Sequence, residues 1–340
     1  MKTAISLLET GFVPDALTRA GIRHLCGVRL VTESRDAAGR MAALRASIMT
    51  GPVAPVPQMA NEQHYEVPAE FMRLALGPRM KYSSCLHETG RETLAQAEDA
   101  MLALTAERAE LADGQDVLEL GCGWGSLTLW MAERFPKSRI TAVSNSAPQR
   151  EHILAEAARR GLSNVMVLTR DMNIFSIDQT FDRVVSVEMF EHMRNYPELM
   201  RRVAGWLKPG GKLFVHIFCH KTLAYPFTDE GEDDWMARHF FSGGIMPSES
   251  LLLDFQGHLR QEKMWIVDGR HYEQTSNHWL ANLDSNRVRA LELLRATYGA
   301  DAALRFTRWR IFYMACAELF GYAGGSEWRV AHYLFRRRDA

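Results

Sequence analysis

The sequence predicts an α/β protein built on a doubly wound, mostly parallel sheet. Between residues 117 and 218, short apolar segments alternate with helix-forming segments about every 20–25 residues, a pattern typical of parallel sheets with helices packed on them. The first apolar segment ends in a turn with three alternate glycines, and a helix-forming segment follows it at once. Both observations indicate strands that are joined by crossover helices.

The predicted elements follow one another in a simple order. Amphipathic helices are expected in residues 1–50, and a helix is expected at 93–111. The strands of the alternating region are predicted at 117–120, 140–143, 165–168, 181–187 and 212–218. The helices between and after them are predicted at 126–134, 147–160 and 189–205. Beyond residue 220 the chain is rich in aromatic residues, with helices expected at 280–298 and 301–320 and a closing strand at 327–335.

Composition excludes several classes of function. The chain has 340 residues, of which 40 are basic and 41 acidic, so its formal net charge of -1 gives no electrostatic footprint for nucleic acid. The five cysteines lie far apart without metal-ligand spacing, which predicts free thiols in the reducing cytoplasm and no metal site. No apolar run reaches the roughly 18 residues that a membrane-spanning helix needs, and the N-terminus is too weakly apolar for a signal peptide.

The glycine-rich turn predicts a cofactor site. Gly121, Gly123 and Gly125 permit unusual backbone angles, and their missing side chains let a ligand approach the peptide planes. Dinucleotide-binding turns use Gly-x-Gly-x-x-Gly, whereas the spacing here is Gly-x-Gly-x-Gly and no phosphate-binding Lys-Ser/Thr pair follows. The glycines alone also fit an ordinary tight turn between a strand and a helix.

Polar residues follow the next strands, at the sheet edge where ligands bind in such folds. Asn145 and Gln149 come after the second strand, although Ser146 before Ala-Pro is also a good helix cap. Asp171 comes after the third strand, where aspartate is equally common as a turn residue. A cofactor role and a local structural role can both apply at these positions.

The most informative polar cluster follows the fourth strand. Glu188, Glu191 and His192 are spaced i, i+3 and i+4, so they would share one face if this segment were helical. Two carboxylates and an imidazole gathered at the ligand edge would form a site for proton removal. The alternative is a solvated helix face, which is less favoured directly after a central parallel strand.

The combination of motifs resembles the cyclopropane-fatty-acid-synthase superfamily of methyltransferases. The similar segments are 82–85, 117–126, 188–192 and 241–248. Within the superfamily the sequence is most similar to the coclaurine N-methyltransferase branch, through segments 214–221, 233–235, 317–322 and 327–332. The similarity runs from about residue 82 to the C-terminus. It implies a class I, Rossmann-like methyltransferase with a seven-stranded sheet, a helical N-terminal extension and an aromatic-rich helical insertion.

The resemblance also implies a division of the chain and a cofactor. The implied parts are a helical extension (1–60), a helical cover for cofactor and substrate (61–115), a Rossmann-like core (116–220), a helical substrate-binding insertion (221–325) and a closing strand (326–340). The cofactor would be S-adenosylmethionine, with S-adenosylhomocysteine as product. A homodimer is an option that the resemblance leaves open.

Site residues are implied position by position. The cofactor residues would be Tyr82 and Ser83 at the methionine part, Gly121 and Gly123 along it, Asn145 and Gln149 at the ribose, and Asp171 and Met172 at the adenine. Glu188, Glu191 and His192 fall where this branch has its catalytic Glu-x-x-Glu-His. The acceptor pocket would be walled by aromatic residues, for which Phe320, Tyr322 and Trp328 are our predictions, although each would equally suit core packing.

The expected reaction is methyl transfer to the nitrogen of a small aromatic or cyclic amine. Such an amine is protonated at pH 7, and freeing its lone pair costs roughly 4–5 kcal/mol if its pKa is near 10.4. His192 could accept the proton, Glu191 could orient it or accept the proton itself, and Glu188 could hold the ammonium group.

Three alternatives remain open. A small thiol would need similar deprotonation, and a cofactor-binding protein without catalysis would share the same turn. Lipid cyclopropanation is disfavoured because synthases of that kind bind bicarbonate through a cysteine and a tyrosine. Our alignment places Ser84 and Leu280 at those two positions, while Glu191 and His216 of the same set remain.

Overall fold

The computed structural model describes residues 2–55, 67–229, 231 and 234–338, and it confirms the predicted α/β fold. The strands are β1 (Asp116–Leu120), β2 (Arg139–Ser144), β3 (Val165–Thr169), β4 (Phe181–Val187), β5 (Leu207–His220), β6 (Tyr225–Pro226), β7 (Ile245–Met246), β8 (Leu259–Val267) and β9 (Trp328–Arg337). Seven of these form the main sheet, and β6 and β7 form a separate two-stranded ribbon. The predicted boundary between residues 60 and 61, and Asp233 of segment 233–235, lie outside the described residues.

The main sheet has the strand order β3-β2-β1-β4-β5-β9-β8. Strands β1 to β5 are parallel, whereas β9 is antiparallel to β5 and β8 is antiparallel to β9. The winding reverses between β1 and β4, which are neighbours although two strands separate them in the chain. Open α/β sheets bind ligands at the carboxyl ends of the strands at such a reversal.

Helices cover the sheet and extend beyond it. They are α1 (Lys2–Glu9), α2 (Asp15–Ser34), α3 (Ala37–Ser47), α4 (Ala69–Ala75), α5 (Leu94–Arg108), α6 (Ser126–Arg134), α7 (Ala147–Arg159), α8 (Tyr196–Trp206), α9 (Trp235–His239), α10 (Gly269–Ser285), α11 (Arg287–Tyr298) and α12 (Ala302–Phe320). Ser146 caps α7 as expected, because its hydroxyl accepts a hydrogen bond from the Gln149 backbone N–H. Thr93 and Gln96 form a capping box at the start of α5.

The structure differs from the sequence prediction at three elements. The expected helix 189–205 is a single 3₁₀ turn, Phe190–His192, followed by α8. The expected helix 280–298 is interrupted at Asn286, where α10 ends and α11 begins. The helical insertion also contains β8, an edge strand of the main sheet whose half-exposed, charged residues hide its apolar pattern.

Helix α12 forms the centre of the helical layer above the sheet. Trp309, Phe312 and Tyr313 are buried on it, and they belong to one apolar cluster with residues of α4, α5 and α10. Arg310 on the same helix forms ion pairs with Asp15 and Asp284, which tie α12 to α2 and α10. The N-terminal helices and the insertion therefore form one packed layer beside the sheet edge that carries the site.

Candidate active site

The turn between β1 and α6 presents bare backbone to a cleft at the sheet edge. Gly121, Gly123 and Gly125 have φ angles of +79°, +51° and +82°. A Cβ atom at Gly121 would lie 2.7 Å from the Cβ atom of Met189, and one at Gly125 would lie 2.6 Å from Ile153. At Gly123 no heavy atom of the described residues lies within 4 Å of that position. Gly121 and Gly125 therefore allow close packing, and Gly123 leaves room for a ligand.

A cleft of about 750 Å³ lies over this turn. The predicted cofactor residues that line it are Gly121, Gly123, Asn145, Gln149 and Met172. The buried Gln149 accepts a hydrogen bond from the Ser144 hydroxyl at 2.6 Å, but its side-chain Nε2 has no partner among the described residues. A buried amide of this kind needs an acceptor, and a ribose hydroxyl of the predicted cofactor would supply one.

A second cavity of about 570 Å³ continues the cleft on the other side of the glycine turn. Tyr82 and Ser83, the residues predicted at the methionine part of the cofactor, both line it. Trp124 and Ser126 also line it, and their buried Nε1 and Oγ atoms have no partner among the described residues. These groups fit the charged amino-acid end of S-adenosylmethionine, so the two cavities together suit both ends of that cofactor.

Asp171 follows β3 as predicted but is not among the described residues that line the cleft. Its Oδ1 accepts a hydrogen bond from the Asn173 backbone N–H at 2.8 Å, which is the turn role considered as the alternative. The described residues that line the cleft at this point are Arg170 and Met172. Arg170 had no distinguishing sequence pattern, because it is simply the last residue before the turn after β3.

Glu188, Glu191 and His192 do not share a helical face, in contrast to the prediction. Glu188 has a φ angle of +47°, in the left-handed region that a glutamate rarely adopts, and it precedes the 3₁₀ turn Phe190–His192. All three residues nevertheless line one cavity of about 720 Å³. The strained backbone at Glu188, rather than helical spacing, brings the three side chains together.

The Glu188 carboxylate is held by three donors. Its Oε1 accepts from the Ser84 backbone N–H and from His216 Nε2, each at 3.2 Å, and its Oε2 accepts from the Tyr272 hydroxyl at 2.7 Å. Burial raises the pKa of Glu188 to about 7, while the Lys81 charge and the hydrogen bonds from Tyr272 and Ser84 limit the rise. Lys81 is itself buried, with its Nζ donating to the Ser83 hydroxyl and the Ser84 carbonyl.

The Glu191 carboxyl group, unlike that of Glu188, is buried without hydrogen-bond donors from the described residues. It is fully buried, and neither of its oxygens has a hydrogen-bond partner among the described residues. Burial, and then the nearby Glu188 charge, raise the pKa of Glu191 well above its usual range. Burial without a partner therefore favours the protonated form of Glu191.

Glu188 and His192 lie where the cavities meet. Both residues line the cofactor cleft as well as the adjoining cavity, whereas Glu191 lines only the latter. The His192 ring is half-buried and stacks on Phe241 with ring centroids 4.7 Å apart. This junction is where a group bound in one cavity can react with a group bound in the other.

The adjoining cavity is an aromatic pocket. Its aromatic walls are Tyr82, Phe218, Phe227, Phe241, Tyr272, Trp279, Phe312 and Phe320. Of our three predicted acceptor residues, Phe320 is among them, and its ring stacks on Tyr272 at 4.2 Å. The Tyr272 hydroxyl in turn donates to Glu188, so packing of the pocket wall also positions the Glu188 carboxylate.

Tyr322 and Trp328 are not among the described residues that line this pocket. Trp328 is fully buried, with its Nε1 donating to the Tyr225 hydroxyl at 3.0 Å. Tyr322 packs edge-on against Trp328 in a short 3₁₀ turn. Trp328 therefore has the core role that was the alternative for each aromatic residue, and the half-buried Tyr322 packs against the same apolar cluster.

Sequence reasoning missed Tyr272 and Lys81 as site residues. Leu280 is buried on α10, and the hydroxyl that reaches the site comes from Tyr272, about two helical turns earlier. Tyr272 and Leu280 are eight residues apart on one helix, and this spacing is too common in sequences to identify Tyr272 as a site residue.

No helix within the described ranges combines the length and apolar character needed to cross a bilayer. In the same ranges, no group of three or more His, Cys, Asp or Glu side chains is arranged to hold a metal ion. The five cysteines are buried free thiols.

Comparison with known proteins agrees with this geometry. The family model described as mycolic acid cyclopropane synthetase matches residues 56–324. An (S)-coclaurine N-methyltransferase of Thalictrum flavum subsp. glaucum is 38% identical over 344 residues, which cover 97% of this chain and 94% of that protein. The (S)-coclaurine N-methyltransferase of Papaver somniferum is 40% identical over 278 residues, which cover 81% of this chain and 79% of that protein.

A solved structure is similar over almost the whole length. The crystal structure of a coclaurine N-methyltransferase bound to N-methylheliamine and S-adenosylhomocysteine matches with a TM-score of 0.95 and 36% identity, covering 98% of this chain and 99% of that chain. Together with the cofactor cleft, these similarities identify the class of enzyme. The chain belongs to the mycolic acid cyclopropane synthetase family, in its coclaurine N-methyltransferase-like branch, and is an S-adenosylmethionine-dependent methyltransferase.

Proposed function

We propose that this enzyme transfers a methyl group to the nitrogen of a small aromatic or cyclic amine. The observation that carries the proposal is the junction at Glu188 and His192, where the cofactor cleft opens into an aromatic pocket. The names of the similar proteins support it, since they act on coclaurine or bind N-methylheliamine.

The pocket suits a cationic, ring-bearing acceptor. Aromatic faces attract cations through their quadrupoles, and the walls place aromatic rings around the Glu188 carboxylate. Glu191 adds a second buried carboxyl group, for which the described part of the chain offers no hydrogen-bond partner. An entering ammonium group would lower the pKa of Glu191, so that the carboxyl group ionises and pairs with the cation.

Each junction residue has a distinct task. When bound, S-adenosylmethionine supplies an electrophilic methyl group that a neutral amine lone pair can attack. Glu188 holds the ammonium form in position, because a carboxylate that already accepts three hydrogen bonds is a better ion-pair partner than a base. His192 accepts the proton that leaves the nitrogen, and its half-buried ring can pass that proton to solvent.

The surroundings of Glu188 disfavour the alternatives. His216 belongs to the set that the resemblance assigns to bicarbonate in cyclopropane synthases, and here it donates to Glu188 instead. A built-in carboxylate thus stands where a bound bicarbonate would be needed. A thiol acceptor must become a thiolate, and the Glu188 carboxylate would repel that anion.

The test is turnover of S-adenosylmethionine to S-adenosylhomocysteine against a panel of acceptors. The panel contains heliamine (N-methylheliamine without its methyl group), other cyclic and aryl-alkyl amines, small thiols, and unsaturated phospholipid vesicles with and without bicarbonate. We expect turnover on amines that collapses in His192→Ala and persists in Glu151→Gln, an exposed carboxylate on α7. Turnover only on vesicles, only with bicarbonate, or preferentially on thiols would overturn the proposal.

A further inference from the structure

A buried chain of hydrogen bonds leads from Glu188 through the sheet to the end of α5. His216 on β5 and His332 on β9 are direct partners across the two strands. His216 Nε2 lies 3.2 Å from Glu188 Oε1, and His216 Nδ1 lies 2.8 Å from His332 Nε2. His332 Nδ1 lies 2.9 Å from Nη1 of Arg108. Nothing in the reaction derived above requires the two outer members.

Arg108 fixes the direction of hydrogen-bond donation from the far end of this chain. A guanidinium can only donate, so His332 Nδ1 must accept and carry no proton. The single proton of a neutral His332 is then on Nε2, which donates to His216 Nδ1. By the same reasoning, the proton of His216 is on Nε2, facing Glu188.

Both imidazoles are neutral in this environment. His216 and His332 are fully buried, and burial lowers the pKa of each well below its usual range, with Arg108 and Lys81 adding to the effect. Burial also lowers the pKa of Arg108, but an arginine starts so high that it stays charged. One fixed tautomer of each ring follows.

We propose that Arg108 and His332 are positioning residues that lock His216 with an N–H directed at Glu188, so that Glu188 remains a carboxylate for the acceptor ammonium. His216 is consequently a permanent donor and takes no proton during the reaction. The proposal rests on the proposed function for the role of Glu188, but the tautomer lock itself does not depend on the acceptor.

Other groups also influence whether Glu188 is ionised, and their effects must stay constant during the test. Lys81 and the Tyr272 hydroxyl favour the carboxylate form of Glu188, whereas the Glu191 carboxyl group disfavours it if ionised. The Cys316 thiol also faces Glu188, whose charge contributes to a raised pKa of that thiol. Arg108 contacts His332 and Trp265 rather than any of these groups, so variants at Arg108 reach Glu188 through the two histidines.

The first test is ¹⁵N NMR of histidine-labelled protein between pH 6 and 9, with signals assigned through single histidine replacements. Wild-type His216 and His332 should both show the Nε2–H tautomer throughout. Arg108→Met removes the donor that fixes the chain, so both rings should show mixed or inverted tautomers. Unchanged tautomers in Arg108→Met would overturn the proposal, and this readout requires no acceptor.

The second test is the pH profile of kcat/KM with the amine that turns over best. In Arg108→Met, a His216 lone pair can face Glu188, and this raises the pKa of Glu188. The acidic limb of the kcat/KM profile should then move upward by about one pH unit, so that kcat/KM at pH values below the limb falls roughly tenfold. Arg108→Lys restores a donor and should return the limb toward wild type. Equal loss at every pH would indicate a structural role and contradict the proposal.

Two further variants keep the test interpretable. Arg108 also lies 5.0 Å over the Trp265 ring, so Trp265→Leu removes that contact while keeping every donor of the Arg108–His332–His216 chain, and it should leave the acidic limb in place. If Arg108→Met does not fold, His332→Phe breaks the chain at the next link and should shift the limb in the same direction. An unshifted limb in folded His332→Phe would overturn the proposal.

Discussion

The cofactor cleft and the aromatic acceptor pocket meet at Glu188 and His192, yet they are built in opposite ways. The cleft is lined by residues that come directly after strands, such as Gly121 after β1 and Asn145 after β2. The pocket gathers side chains from positions as far apart as Tyr82 and Phe320. Sheet topology therefore determines the cleft, while packing of the helical layer determines the pocket. We infer that the cleft carries the shared chemistry and the pocket selects the acceptor.

The largest effect is expected where the two regions meet. In Glu188→Gln the amide nitrogen would face donors from Ser84, His216 or Tyr272, and the negative charge would be lost. Losing a charged partner at a buried site costs about 1.5–3 kcal/mol, so kcat/KM for amines should fall roughly ten- to hundredfold or more. Steady-state kinetics check this, with Glu151→Gln as the control for removing an exposed carboxylate. If Glu188→Gln has wild-type kinetics, the Glu188 carboxylate takes no part in the reaction.

A change confined to the cleft should weaken the cofactor alone. Gly123→Ala places a methyl group in open space over the turn, so the dissociation constant of S-adenosylmethionine should rise about tenfold by calorimetry. Gly114→Ala is the matched control, because Gly114 has a φ of +88° and equally open surroundings but lies outside the cleft. It should have a comparable backbone cost of about 1–2 kcal/mol and bind the cofactor normally. Equal loss of binding in both variants would refute a specific role for Gly123.

A change confined to the pocket should affect the acceptor alone. Phe320→Leu removes one aromatic face, worth about 0.5–1 kcal/mol to a bound cation, so KM for amines should rise about twofold to fivefold with unchanged cofactor affinity. Trp328→Phe should leave KM unchanged and instead lower the free energy of unfolding by about 1–3 kcal/mol, since its indole hydrogen bond to Tyr225 is lost. The opposite pattern would place Trp328 in the pocket, as the sequence had suggested.

The smallest effect should be on pH-dependent stability. The folded-state pKa of Glu191 is raised, so folding favours its protonated form, and that advantage is lost as pH rises from below the unfolded value through the folded one. Glu191→Gln should therefore gain stability relative to wild type as the pH rises from 5 to 8. Chemical denaturation of both proteins at the two pH values measures the difference. A constant difference across this range would mean that Glu191 is not buried as a neutral group.

The same contrast explains how much the sequence could predict. The position of residues such as Gly123 and Gln149 in the cleft was predictable, because a turn after a parallel strand has a local sequence signature and lies at the ligand-binding edge of the sheet. The gathering of Glu188, Glu191 and His192 was predicted, but through a helical face, whereas a left-handed Glu188 produces it. A strained φ of this kind leaves no pattern in the sequence.

An aromatic pocket was predicted, but most of its residues could not be identified because their sequence signals are not local. Tyr272 reaches Glu188 only through the way α10 packs over the sheet. Trp328 and Phe320 have equally aromatic neighbourhoods in the chain, and only the fold shows that one is in the core and the other in the wall. Strand β8 was missed because an edge strand with polar, half-exposed residues lacks apolar alternation.

The most direct test of the central claim follows a labelled methyl group. S-adenosylmethionine with a ¹³C-methyl group is incubated with the enzyme, heliamine and unsaturated phospholipid vesicles together, in buffer freed of bicarbonate. We predict an N–¹³CH₃ signal from methylated heliamine by NMR, with none in the lipid and little in the Glu188→Gln variant. Label in the lipid chains, or label on the amine only after bicarbonate is added, would contradict the account.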